Sequence, residues 1–177
     1  SGTPVEQDKW PRWDLIHFNC GLGDLIHRVP GMKTFRVMPI HVGGVRNTSK
    51  DQYVKNLDTL VKALKAKAPD AKLVWANTTP IRASANNVFE KGSELEYNEL
   101  ADGVMKTHGV QTNDMYQYVK CLIDMDKPAG FGADPFHFDK KPIHMPIVRV
   151  IEQTFRLQPV PQTEEEKQNA AKSRNRP

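Results

Sequence analysis

Short apolar runs alternate along this chain with longer segments of helical periodicity, and this alternation most restricts the fold. The apolar runs lie at about 13–19, 72–77 and 110–113. Between the first two, apolar residues recur every three or four positions from Ser49 to Pro69. Strands that alternate with helices are typical of parallel βαβ units, in which helices cover both faces of the sheet. The sequence therefore predicts an α/β fold with a parallel sheet.

Capping residues predict where the helices begin. We assign four helix starts to pairs with this spacing: Thr3 with Glu6, Ser49 with Gln52, Ser93 with Glu96, and Asp114 with Gln117. A last helix after residue 142 is expected to bury the row formed by Ile143, Ile147, Ile151 and Phe155. From Pro159 the chain is polar and charged, so we expect one domain over 1–158 and a tail outside the core over 159–177.

Composition makes several function classes improbable for this chain. No apolar run reaches the length of a membrane span, so we predict no membrane segment. The formal net charge is +4, without a basic stripe interleaved with aromatics, so we predict no nucleic-acid partner. The six histidines show no metal-ligand spacing, and we predict neither a metal nor a cofactor. The two cysteines say little about compartment, and the localisation is open, with secretion or a periplasmic location compatible with a removed leader.

Two separated segments carry residue types that suit acyl-transfer chemistry. Asn19 ends the first apolar run and precedes the glycine turn at Gly21. Asp134 and His137 form a carboxylate-imidazole pair at a spacing of three in a loop near the C-terminus. Because function gathers at the carboxyl ends of parallel strands, Asn19 and Thr78-Thr79 are expected at one edge of the sheet.

The segment His17-Phe18-Asn19-Cys20-Gly21-Leu22-Gly23-Asp24, taken with Asp134-Pro135-Phe136-His137, resembles the last two blocks of the SGNH (GDSL-like) hydrolases. This resemblance implies a three-layer, flavodoxin-like α/β/α domain and a serine-type carboxylic-ester hydrolase acting on short acyl or acetyl esters. It implies His137 as general base, Asp134 as the residue that orients it, and Asn19 as an oxyanion donor. Gly2 would be a second oxyanion donor.

The nucleophile is not identifiable in this sequence. No Gly-Asp-Ser block occurs, and the five serines are Ser1, Ser49, Ser84, Ser93 and Ser173. A thiol nucleophile at Cys20 is conceivable, but a small apolar replacement is the favoured interpretation of this residue. We therefore expect a chain that is N-terminally truncated relative to the family. The alternatives are a non-catalytic remnant that acts as a binding or interaction module, and one chain of a split hydrolase.

The resemblance also predicts an open sheet edge. In the family's sheet the first strand lies beside the one that corresponds to Trp13–Asn19. Without that neighbour, unpaired backbone groups would be exposed. Three occupants are possible: a separate N-terminal chain, a second copy of this one, or a ribbon at 34–42 folded back alongside. The expected small-molecule partner is an ester, with an acylated carbohydrate as one candidate.

Overall fold

The computed structural model describes residues 12–32, 36–127 and 141–157. In chain order the elements are β1 Leu15–Phe18, α1 Leu22–Leu25, β2 His27–Arg28, β3 Val45–Arg46, α2 Lys50–Lys67, β4 Lys72–Ala76, α3 Ser93–Thr107, β5 Gln111–Asn113, α4 Met115–Lys120 and α5 Met145–Phe155. Short 3₁₀ turns lie at Ile40–Val42 and Ala83–Ala85.

The three strands predicted from the apolar runs form one parallel sheet in the order β1-β4-β5. Phe18 lies opposite Trp75 in the first pair, and Ala76 lies opposite Asn113 in the second. All three carboxyl ends therefore meet at one edge. The prediction of an α/β fold with a parallel sheet is confirmed.

Helices cover both faces of this sheet. Leu73 and Trp75 of β4 belong to the larger core cluster, which takes in residues of α2 and α3. Ala76 belongs to a second cluster with Met115 and Val119 of α4. α5 contacts β1 and β5. Because alternate residues of a strand face opposite ways, this division gives three layers, α/β/α.

Two of the four predicted helix caps are confirmed, and the one at Thr3 lies outside the described residues. The Ser49 hydroxyl accepts from the Gln52 amide at 3.3 Å, and the Asp114 carboxylate accepts from the Gln117 amide at 3.0 Å. The prediction for Ser93 was wrong. Gly92 takes the capping position at a positive φ of 79°, so Ser93 is the first helical residue. Its hydroxyl does not cap the helix and is buried without a hydrogen-bond partner among the described residues.

The predicted buried row of α5 is only partly right. Ile151 and Phe155 are 38% and 45% exposed, whereas Pro146 and Val150 are buried. The reason is geometric: at 3.6 residues per turn, a row at intervals of four rotates by about 40° at each step. The later members of the row therefore turn away from the sheet.

The described part of the predicted ribbon, residues 36–42, does not lie along the outer edge of β1, so that option was wrong. Val37 bridges to Arg28 instead, and the Ile40 amide donates to the Asn87 carbonyl. The described part of this segment thus packs beside the antiparallel β2–β3 pair. Within the described strands, β1 pairs only with β4.

Candidate functional site

An asparagine stands at the carboxyl end of each parallel strand. Asn19 follows β1, Asn77 follows β4, and Asn113 is the last residue of β5. Each side-chain amide bonds to a group on a different element. Asn19 Nδ2 donates to the Ala76 carbonyl at 2.8 Å, Asn77 Nδ2 donates to Asp114 Oδ1 at 2.8 Å, and Asn113 Nδ2 donates to His17 Nε2 at 3.0 Å. These amides connect the ends of the strands to one another and to α4.

Asn19 lies at the edge of the sheet where the sequence predicted it. Its amide also makes a second, longer contact of 3.3 Å with the Asn77 carbonyl. The side chain is exposed, so a ligand can reach it. The shorter bond fixes the orientation of the amide, and the longer contact is the weaker of the two. Its role as an oxyanion donor stays a prediction.

The loop that follows β4 is held by two further side-chain amides. Asn98 of α3 binds both backbone groups of Thr78: its Oδ1 accepts from the Thr78 amide at 2.8 Å, and its Nδ2 donates to the Thr78 carbonyl at 2.9 Å. Asn77 Oδ1 accepts from the Tyr116 amide at 2.7 Å. The loop therefore has fixed positions relative to both α3 and α4.

The turn after Asn19 requires glycine. Gly21 has a positive φ of 149°, and a Cβ there would lie 2.4 Å from Thr78 Oγ1 and 3.0 Å from the Tyr53 hydroxyl oxygen. Tyr53 in turn donates to the Cys20 carbonyl at 3.3 Å. The turn after β1 therefore packs closely against the loop after β4.

The thiol of Cys20 is poorly suited to nucleophilic attack at neutral pH. Burial, with a smaller contribution from the Asp24 carboxylate, raises the pKa of Cys20 to about 11. A thiol with this pKa stays protonated near pH 7, and the thiolate is the reactive form. This favours the structural interpretation of Cys20.

A cleft of about 390 Å³ opens beside Asn19 at this edge of the sheet. It is lined by His17, Asn19, Leu22, Ala76, Thr78, Thr79, Met115 and Ile147. These residues come from β1, β4 and the helices α1, α4 and α5, or from the loops that follow the strands. The cleft therefore lies between the sheet and the α4–α5 layer, at the edge where the sequence predicted a site.

A larger depression of about 760 Å³ lies beside β3 and the start of α2, and its character is different. Arg46 bonds to Glu90, and Lys50 bonds to Glu96. His27 lies 3.4 Å from Glu90 through Nε2. Because these charges neutralise one another in pairs, they attract a charged ligand less strongly than the same side chains would if they were unpaired.

Three predicted site residues, Gly2, Asp134 and His137, lie outside the described residues. Their assignments stay predictions. Within residues 12–32, 36–127 and 141–157, no group of three or more His, Cys, Asp or Glu side chains is placed to hold a metal ion. Over the same ranges, no helix has both the length and the apolar character needed to cross a membrane.

Sequence reasoning missed the structural roles of Asn77, Asn98 and Asn113. A signal was present for two of them, because Asn77 and Asn113 each end an apolar strand, as Asn19 does. The partner of Asn98 is set by the approach of α3 to the loop after β4, twenty residues earlier in the chain. That approach depends on the tertiary fold.

Comparison with known proteins gave structural similarities only. No protein-family model matches the chain, and no curated protein matches it. A lipase/acylhydrolase from Enterococcus faecalis superposes with a TM-score of 0.49 at 19% identity, over 66% of this chain and 57% of that one. A protein named as a GDSL-like lipase, from Parabacteroides merdae, gives a TM-score of 0.44 at 16% identity, over 63% and 51%. An α/β hydrolase enzyme from the metagenome of Lake Arreo, Spain, gives 0.40 at 15% identity, over 62% and 48%. The chain thus spans about half the length of each of these proteins.

Proposed function

We propose that this protein is a carboxylic-ester hydrolase of the SGNH type that acts on short acyl esters. The observation that carries the proposal is the position of Asn19. Its side-chain amide lies at the carboxyl edge of a parallel sheet, is held there by the Ala76 carbonyl, and lines an open cleft. An amide so placed meets the requirement for a preorganised donor to a developing oxyanion.

In the proposed mechanism Asn19 stabilises the tetrahedral intermediate. An entering oxyanion would replace the 3.3 Å contact to the Asn77 carbonyl, while the 2.8 Å bond to the Ala76 carbonyl keeps the amide in place. A charged acceptor forms a stronger hydrogen bond than a neutral carbonyl, so the exchange favours the transition state. The donor is then more strongly engaged in the transition state than in the free protein, as catalysis requires.

The proposal gives His137 and Asp134 the remaining acid-base work. His137 takes the proton of the attacking hydroxyl and returns it to the leaving alcohol, while Asp134 orients the imidazole ring. The hydroxyl itself is unassigned. A serine-directed fluorophosphonate, followed by peptide mass spectrometry, would identify it through the mass added to one serine.

The test is hydrolysis of p-nitrophenyl acetate and butyrate by the 177-residue chain, for which we expect a low rate because no nucleophile is identified in it. We expect His137→Ala to lower kcat/KM by several orders of magnitude, and Asn19→Ala to lower it by roughly 10²–10³. Asn56→Ala is the matched control, because this exposed side chain of α2 bonds only to Gln52 among the described residues and does not line the cleft. It should leave the rate unchanged.

Asn19 also joins two strand ends, so its loss can lower the rate through stability alone. Asn77→Ala separates the two effects, because Asn77 joins β4 to α4 but does not line the cleft. If both variants lose activity in proportion to their loss of Tm, Asn19 is structural and the mechanism is wrong. A chain that is folded, turns over no ester and accepts no fluorophosphonate would instead support the alternative, a non-catalytic binding module.

A further inference from the structure

The cleft beside Asn19 has an apolar wall built by three separate helices. Leu22 comes from α1, Met115 from α4 and Ile147 from α5, while Ala76 of β4 contributes at the sheet. Met115 is buried, and Leu22 and Ile147 are half-buried. The last two therefore keep apolar surface that a ligand can cover.

No described residue that lines this cleft carries a carboxylate, an amine or a guanidinium. Among the described lining residues, His17 is the only one with a titratable side chain. Burial lowers the pKa of His17, and Nε2 accepts a hydrogen bond from Asn113, so the neutral ring is the favoured form. By contrast, each of four other cavities along the described ranges is lined by at least one Lys, Arg, Asp or Glu.

The backbone polar groups of Thr78, which lines the cleft, have partners on α3, and its hydroxyl is buried without a hydrogen-bond partner among the described residues. Asn98 binds both backbone groups of Thr78. Thr78 Oγ1 lies against Gly21, since a Cβ on that glycine would be 2.4 Å from it. Asn19 is exposed in this lining, and its side-chain amide has a longer contact that a ligand can replace.

We infer that this cleft receives the aliphatic acyl chain of an ester, with its carbonyl at Asn19, and that Ile147 sets the permitted chain length. The inference rests on the proposed function and names the part of the substrate that the cleft holds. The described lining is uncharged and partly apolar, which favours a hydrocarbon chain over a sugar or a charged group. Ile147 is the residue to change because it is half-buried and lies on a helix end of the cleft wall.

The first arm of the test measures kcat/KM for p-nitrophenyl acetate, butyrate, hexanoate and octanoate. Each buried methylene should raise kcat/KM roughly fourfold until the chain outgrows the cleft. Ile147→Ala should move the maximum to a longer ester, and Ile147→Trp should move it to a shorter one. Ile151→Ala and Ile151→Trp are the controls, because Ile151 lies one turn later on α5 and is exposed.

Turnover that continues with an unchanged chain-length maximum in both Ile147 variants would overturn the inference and leave the proposed function standing. The second arm does not depend on turnover. Proteins labelled with ¹³C at the methionine methyl groups are titrated with hexanoate and octanoate, and the Met115 signal is assigned from Met115→Leu.

We expect the Met115 methyl signal to shift on titration, and the shift to be lost in Ile147→Trp but kept in Ile151→Trp. This result in a chain without esterase activity would refute the proposed function while supporting the cleft as a site for acyl chains. An unchanged Met115 signal with every chain length would refute the site itself.

Discussion

Gly21 is the residue whose substitution should lower the free energy of unfolding most directly. Gly21→Ala places a methyl group 2.4 Å from Thr78 Oγ1 at a positive φ, so we expect the free energy of unfolding to fall by about 2 kcal/mol or more. Gly23→Ala is the control. Nothing lies within 4 Å of its added Cβ, and it is in α1, so it should be neutral or stabilising by about 0.5–1 kcal/mol.

Urea unfolding at pH 7 measures both glycine changes. The double variant Gly21→Ala with Thr78→Ala should recover part of the loss, because the contact with Oγ1 is then absent. The strain from φ would persist, so recovery should be incomplete. Equal stability of the Gly21 and Gly23 variants would contradict this account of the turn.

The two cysteines should differ in their reaction with iodoacetamide. Cys121 is exposed, whereas Cys20 is half-buried with its pKa raised to about 11. At pH 8 we expect one thiol to react quickly, and Cys121→Ser to abolish that fast phase. The remaining rate at Cys20 should keep rising as the pH approaches about 11. A fast reaction at pH 8 in Cys121→Ser would reopen the case for a thiol nucleophile.

His17 should make stability depend on pH. Burial lowers its pKa below the unfolded value of 6.5, so the unfolded state binds more protons between the two values. The contribution of the neutral ring is thus complete above about pH 6.5, and is lost as the pH falls through the folded pKa. His17→Gln should have a smaller decline in Tm from pH 7 to pH 5 than the parent. An equal decline would show that other groups cause it.

At the scale of the element, helix starts were predictable only where a side chain makes the cap. Ser49 and Asp114 accept from the residue three positions later, an interaction encoded within one turn. α3 begins differently, because the backbone of Gly92 makes the turn and carries no side-chain signal of its own. The serine and glutamate that follow Gly92 are buried instead.

Glu94, in the first turn of α3, should cost stability at neutral pH. Burial raises its pKa above the unfolded value of 4.5, although the backbone amides of Glu94 and Ile81 oppose the shift. The folded state therefore binds more protons, and stability falls as the pH rises through this range. Glu94→Gln should be more stable than the parent at pH 7, and the gain should vanish below about pH 4. A destabilised Glu94→Gln at pH 7 would show that the charge is better stabilised than its burial implies.

The strands were the most predictable elements, because each combines an apolar run with clear breakers. Their parallel arrangement followed from the intervening helices. The partners of the asparagines at their ends did not follow, since Asn19 reaches a carbonyl 57 residues away and Asn113 reaches His17 96 residues away. Such contacts depend on strand register, which no local pattern encodes.

At the scale of the whole molecule, the outer edge of β1 has no neighbour among the described strands. We expect either a separate chain segment or a second copy to pair with it, because parallel strands normally have neighbours and unpaired edges invite association. Trp13, beside this strand, is 50% exposed, which also favours a covered edge. A second copy should give concentration-dependent mass in sedimentation, and slow amide exchange along β1 that speeds up on dilution. A constant monomer mass with fast exchange in β1 would exclude the second copy.

For the site as a whole, the sequence placed Asn19 and the loop Thr78-Thr79 together at one edge, and both line the cleft. The sequence did not reveal the cleft itself. Its walls come from five elements, and the space between them depends on packing distances that periodicity cannot supply. Assignment of the base and its orienting acid rests on the motif near the C-terminus.

The two hydrogen bonds of Asn77 to the start of α4 have a consequence for ligand affinity. Its two amide atoms bind Asp114 and Tyr116, the residues on either side of Met115. The backbone at this cleft residue is therefore already ordered before any ligand arrives. An acyl chain that enters the cleft therefore loses little binding free energy to ordering of the backbone at Met115. Removing these two hydrogen bonds should weaken ligand binding only through the entropy lost when the α4 backbone becomes ordered, because every apolar contact of the cleft is still present.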